Sequence, residues 1–195
     1  MNTVFEKMEF CAANAAVPEE AAFAKTLALL EDENWRVRYA AAVALGDRRD
    51  ARAVDALLQV LRRENEAPIF TQPKLEGSAP AGSSVPFEMI FPAGTTESVK
   101  EAWRRRGRLV QAVCFALGNI GVATPGVMEL LHRYATDQGC DYTVRSAASK
   151  ALGQIGRPES LPVLEEATKD EEWCTACEAR KAVQKLRAAV QLFYR

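Results

Sequence analysis

WRVRYAAAVALG, Trp35 to Gly46, returns as YTVRSAASKALG, Tyr142 to Gly153, with VR, the alanine pair and ALG in register. A match of that length within one chain marks an internal repeat. RLVQAVCFALGNIG, Arg108 to Gly121, shares the ALG ending but carries Val110 where the other two have Arg38 and Arg145. A fourth, more degraded copy is WCTACEARKAVQ, Trp173 to Gln184, in which Lys181, Ala182 and Val183 align with Lys150, Ala151 and Leu152.

Each copy has apolar or small residues at helical spacing, and the two clearest end in glycine, a residue able to close a helix in the left-handed conformation. A second helical pattern follows each of the first three: AVDALLQVLRRE from Ala53, TPGVMELLHRYATD from Thr124 and PESLPVLEEATKD from Pro158. Pro125 and Pro158 suit a first turn, where the missing N–H does no harm. Thr3 to about Ala15 and Pro18 to about Glu31 form an upstream pair. The expectation is an all-α fold, an α/α superhelix of about nine helices in four to five repeats, none able to bury its apolar stripe except against its neighbours.

The pattern W/Y-x-VR-x-AA-xx-ALG followed by a second helix resembles the HEAT-like repeats of phycobilisome lyase subunits, within the wider HEAT and armadillo class. The resemblance implies one HEAT-like α-solenoid over residues 1–195. It also implies that Arg38 and Arg145 tie neighbouring repeats together through carboxylates. The alignment places Trp35, Tyr142 and Trp173 in one slot, as inter-repeat packing residues. For function it implies a non-catalytic scaffold that presents a concave groove, lined by the second helices, to another protein. The alternative it implies is a bilin lyase-like or chromophore-handling protein with a tetrapyrrole in that groove, although no residue specifically demands a bilin. Outside that alternative no cofactor is expected.

Residues 64–98 break the repeat. ENEAPIFTQPKLEGSAPAGSSVPFEMIFPAGTT is proline-rich and lacks helical periodicity, and its GSAPAGSS reads as a flexible tip. PIFTQP and VPFEMIF could pair as a short ribbon. Phe70, Phe87, Met89, Ile90 and Phe91 are either packed back on the helices or offered to a partner. Helix resumes at Ser98, where SVKE has capping-box spacing with Glu101, and runs through to Ile120. It carries Lys100, Arg104, Arg105, Arg106 and Arg108 around Trp103. Trp103, Arg104 and Arg105 are candidate partner contacts, and the Arg104–Arg108 cluster is a lesser candidate for nucleic acid. Consecutive helical residues diverge by about 100°, so these arginines cannot all face one strand.

Lys and Arg total 25 against 26 Asp and Glu, so there is no global pull toward nucleic acid or anionic membrane. No stretch approaches the roughly 18 apolar residues of a membrane span, and the N-terminus is not that of a secretory signal, so a cytoplasmic protein is expected. His132 is the single histidine, which excludes HExxH, a two-histidine facial triad and the repeated His-Glu dyads of HEAT-like di-iron hydroxylases. A Ser-His or Cys-His pair through His132 stays open, without a nucleophile elbow to accompany it. Cys11, Cys114, Cys140, Cys174 and Cys177 read as reduced thiols. Cys174 and Cys177, one turn apart at a helix start, are weak candidates for a reactive thiolate or half a metal site, with Cys140 and His132 as conceivable further ligands.

Overall fold

The computed structural model describes residues 3–66, 74–75, 89–90 and 94–193. Among them are nine α-helices: α1 (Val4–Asn14), α2 (Glu20–Ala28), α3 (Trp35–Arg48), α4 (Val54–Glu66), α5 (Glu97–Ile120), α6 (Pro125–Thr136), α7 (Tyr142–Ile155), α8 (Leu161–Ala167) and α9 (Trp173–Phe193). They form two layers. The repeat helices α3, α5, α7 and α9 lie side by side, with α1 against α3, and α2, α4, α6 and α8 cover one face of that row. The core fills the space between layers. Leu57, Val60 and Leu61 of α4 and Val127, Leu131 and Tyr134 of α6 are buried there against Val113, Leu117, Val144 and Leu152. No helix among the described residues is long and apolar enough to cross a membrane.

Gly46, Gly118 and Gly153 do not close their helices, contrary to the sequence expectation. The chain leaves the helical conformation later, at Arg49, Gly121 and Gly156, each with positive φ. The ALG glycines instead let backbones touch. A Cβ at Gly46 would lie 2.6 Å from the Ala116 Cα, and one at Gly153 would lie 2.7 Å from the Ala182 Cβ; at Gly118 it would meet the Ala151 Cα at 2.8 Å. One Gly/Ala seam therefore joins each repeat helix to the next. The second helices have no such seam and pack against one another less closely than the repeat helices do. The groove described below lies on the outward face of the ALG helices rather than on the second helices.

Caps set the helix starts. Thr3 and Glu6 exchange the two bonds of a capping box on α1, and Asn34, Thr124 and Asp141 accept first-turn N–H groups of α3, α6 and α7. On α5 the cap is Thr96, whose hydroxyl accepts from the Val99 N–H, so Ser98 lies inside the first turn. The unbroken run to Ile120 is observed. Gly107 occupies the slot of Trp35 and Tyr142, so residues 97–106 carry α5 about 15 Å past the edge of the stack. In the insertion, Lys74–Leu75 and Met89–Ile90 pair antiparallel, Lys74 opposite Ile90. Met89–Ile90 falls within VPFEMIF, whereas PIFTQP lies outside the described residues. Phe70, Phe87 and Phe91 lie outside the described residues, as does the side chain of Met89.

Ser149 is fully buried and its hydroxyl has no hydrogen-bond partner. The aligned residue in the first copy is Ala42. Ser149→Ala removes an unmet polar group and improves helix propensity, so a gain of about 1 kcal/mol is expected. A raised urea midpoint with unchanged slope would register it.

Candidate functional site

The seam fixes which side chains point away from the core. Phe115, Lys150 and Lys181 each precede the alanine that touches the glycine of the helix before (Ala116, Ala151, Ala182), and Val43 holds the same place in α3. Residues four before and four after share that face. Across α3, α5, α7 and α9 the central row therefore reads Val43, Phe115, Lys150, Lys181. The row above is Tyr39, Gln111, Ser146, Cys177, and the row below is Asp47, Asn119, Gln154, Lys185. Between α3, α5 and α7 they enclose a groove of about 310 Å³ lined by Tyr39, Val43, Asp47, Phe115, Lys150 and Gln154, among others. Tyr39 and Val43 are each 38% exposed, the Lys150 ammonium lies 4.8 Å from the Phe115 ring centre, and Gln154 donates to Asn119 at 2.9 Å. Sequence reading missed this site. Its signal was the x of x-A-L-G, the one position inside the small-residue motif where the copies are bulky and differ.

A second regular feature runs along one edge. Lys7 pairs with Asp32 at 2.5 Å, Arg38 with Glu64 at 3.8 Å, and Arg145 with Asp170 at 2.6 and 3.0 Å. Arg38 and Arg145 also donate to carbonyls of the loop before their own helix, Asp32 and Glu33 for the first and Cys140 for the second. Arg145 and Asp170 are almost wholly buried. Burial pushes the Asp170 carboxyl up, but the Arg145 guanidinium and the Glu172 amide outweigh it and hold it below the usual range. The α5 copy lacks this cation because it has Val110. Asp137 still makes the same turn, accepting from the Gly139 N–H at 2.8 Å as Asp170 does from Glu172. A cavity of about 40 Å³ opens there, lined by Trp103, Arg106, Val110, Tyr134, Cys140 and Asp141 among others. That is room for one or two waters and far too little for a tetrapyrrole.

The residues singled out in the sequence scatter over several surroundings. Trp103 is buried, at 7% exposure, so it is not a free partner contact; α5's extension carries it to the small cavity. Arg105 is exposed and pairs with Glu101 at 3.1 Å, while Arg104 shares a line four residues apart with Arg108 and Arg106 turns to the cavity. Trp35 packs edge-on to Tyr39 and lies beside Ala102 and Leu109 of α5. Trp173 corrects the inter-repeat expectation: it is 70% exposed, because no helix among the described residues follows α9 to cover it. Tyr142 is half-buried, and its carbonyl accepts from the buried Thr175 hydroxyl at 3.1 Å.

His132 Nε2 lies 2.9 Å from the Ser160 hydroxyl, but Ser160 is fully buried and neither residue lines a groove described above, so the pair reads as packing. Burial lowers the His132 pKa. No cluster of three or more His, Cys, Asp or Glu suited to a metal ion occurs among the described residues. All five cysteines are free thiols. At the start of α9 the expected lowering of the Cys174 pKa is reversed, by burial first and then by Glu172, Cys177 and Glu178. Burial pushes Cys11 up to about 11, raises Cys114 well above the thiol range, and with Asp137 takes Cys140 up to about 12. Brief alkylation of native protein near neutral pH should therefore label the groove-side Cys174 and Cys177 first, and Cys11 and Cys114 only after unfolding. Peptide mass mapping would read the order.

Comparison with known proteins bears on the fold. One chain of the CpcE–CpcF complex of phycocyanin lyase from a Nostoc species superposes with a TM-score of 0.63 at 19% identity, covering 95% of this chain and 61% of its own. This chain thus spans less than two thirds of that one. Human deoxyhypusine hydroxylase aligns over 96% of this chain and 81% of its own at 16% identity, with a TM-score of only 0.29. Among curated proteins none matches significantly. The family profile of HEAT repeats matches residues 7–69 and 106–190, leaving out most of the insertion and nearly all of the extension of α5. On that match, over well more than half of its length, the chain belongs to the HEAT-repeat family.

Proposed function

We propose that this chain is one non-catalytic HEAT-like unit, a scaffold that binds another protein along the outward face of its repeat helices. The observation that carries the reading is the groove over α3, α5 and α7, where the apolar bodies of Tyr39 and Val43 stay exposed on a helix whose opposite face is packed. A solved relative in fold is itself a complex of two proteins, which supports a protein partner as the occupant. Chromophore handling draws on fold likeness alone, and the small cavity beside Trp103 has no room for a bilin, which would have to lie in the groove instead.

A photo-crosslinking amino acid at Val43 tests it, with the same group at exposed Glu129 on α6 as control. In the source cell, Val43 should trap one discrete protein and Glu129 none. Equal capture at both positions would overturn the reading. So would stoichiometric binding of phycocyanobilin with no protein captured at Val43.

A further inference from the structure

The chain as a whole carries a net charge of −1, yet the groove face is basic at one end and apolar at the other. On α3 and α5 its central positions are Tyr39, Val43 and Phe115. On α7 and α9 they become Lys150, Lys181 and Lys185, all exposed. Arg36 and Arg108 stand at the helix-start edge, in line with Val43 and Phe115 respectively. The acids on this face are few: Asp47 at the apolar end, and Glu178, which pairs with Lys181 at 2.5 Å. Among the described residues Lys150 and Lys185 have no carboxylate within ion-pair distance. Mutual repulsion among these cations is retained in the free protein, and among the described residues the outward rows of α3, α5, α7 and α9 carry no acid besides these two.

Resting on the reading of the groove as a protein-binding surface, we propose that its occupant is an acidic segment of the partner, apolar side chains seated on Tyr39, Val43 and Phe115 and carboxylates on Lys150, Lys181 and Lys185. An oligonucleotide fits less well. A phosphate backbone needs cations along its whole track, whereas the α3 and α5 rows offer it Tyr39, Val43, Gln111, Phe115 and Asn119. Exposed ammonium–carboxylate pairs are individually weak and screened by salt, so the apolar end supplies affinity and the lysines supply orientation and discrimination.

The test uses fluorescence anisotropy with the full chain and two short labelled peptides. One has a Leu-Leu-Trp anchor followed by glutamates; the other has lysine at each glutamate. The acidic peptide should bind, weaken on going from low to physiological salt, and compete with capture at Val43; the lysine peptide should bind at least about tenfold more weakly. Lys150→Glu with Lys185→Glu should weaken the acidic peptide by on the order of tenfold and, both sites being exposed, leave the urea midpoint unchanged. Equal binding of the two peptides, or no effect of the double reversal, would overturn the proposal. Tighter binding of a single-stranded oligonucleotide than of the acidic peptide would overturn it too. Capture at Val43 that the acidic peptide cannot displace would refute the acidic chemistry while leaving the groove as a protein site.

Discussion

Arg145→Met is expected to lower folding stability by about 3–5 kcal/mol and the Tm by roughly 10 °C. The reason lies in what remains. Arg145 supplies two hydrogen bonds to Asp170 and one to the Cys140 carbonyl, and both ionised side chains are almost completely removed from water. Without the guanidinium, Asp170 keeps only the Glu172 amide and the exposed Gln138 carboxamide as donors. An ionised carboxylate buried that way is costly, and burial is the strongest influence acting on this group.

The pH dependence separates this cause from simple loss of packing. In the native protein the Asp170 pKa is depressed, so its contribution is present above the ordinary carboxylate pKa, about 3.9, and is lost as pH falls through the lower folded value. In Arg145→Met the sign inverts: the folded pKa is raised, and acidification relieves the buried charge. The deficit should therefore be largest at neutral pH and shrink toward pH ~4. Arg145→Met combined with Asp170→Leu should recover most of the loss, since an apolar pair of similar volume has no charge to strand. Urea titrations at several pH values give all three comparisons, and a pH-independent deficit would reduce Arg145 to a packing residue.

The same ion pair marks how far the sequence could be read. Register of VR, AA and ALG was enough to place α3 and α7, because a repeat that buries its stripe only against its neighbours has few ways to fold. The role of the glycines was misjudged because a helix-terminal αL residue and a close-approach residue are spelled alike; the distinction lies in the neighbouring helix. That in turn hid the groove face. Trp103 and Trp173 exchange their expected environments for a related reason: exposure depends on whether a later element arrives to cover the ring, which local pattern does not encode. Cys174 and Cys177 stand out in the sequence as a pair one turn apart at a helix start, and the repeat register puts them on the outward face of α9, Cys177 level with Tyr39 and Gln111.

Gly46→Leu is expected to cost about 3 kcal/mol, against the roughly 1 kcal/mol of helix propensity that leucine gains over glycine. A side chain there meets the Ala116 backbone at 2.6 Å, so no rotamer of a flexible neighbour can relieve the overlap; α3 and α5 must move apart. Gly126→Ala is the matched control. Its Cβ would meet the Leu58 methyl at 3.6 Å and the Arg62 side chain at 3.8 Å, ordinary contacts, and stability should hold or rise by about 0.5 kcal/mol. The two variants also differ at the groove. Separating α3 from α5 pulls Tyr39 and Val43 away from Phe115, so Gly46→Leu should lose capture at Val43 even under conditions where it remains folded, and Gly126→Ala should keep it. A Gly46→Leu protein with native stability would mean that the Gly/Ala seam does not set the helix spacing, and the close approach of α3 to α5 would need another cause.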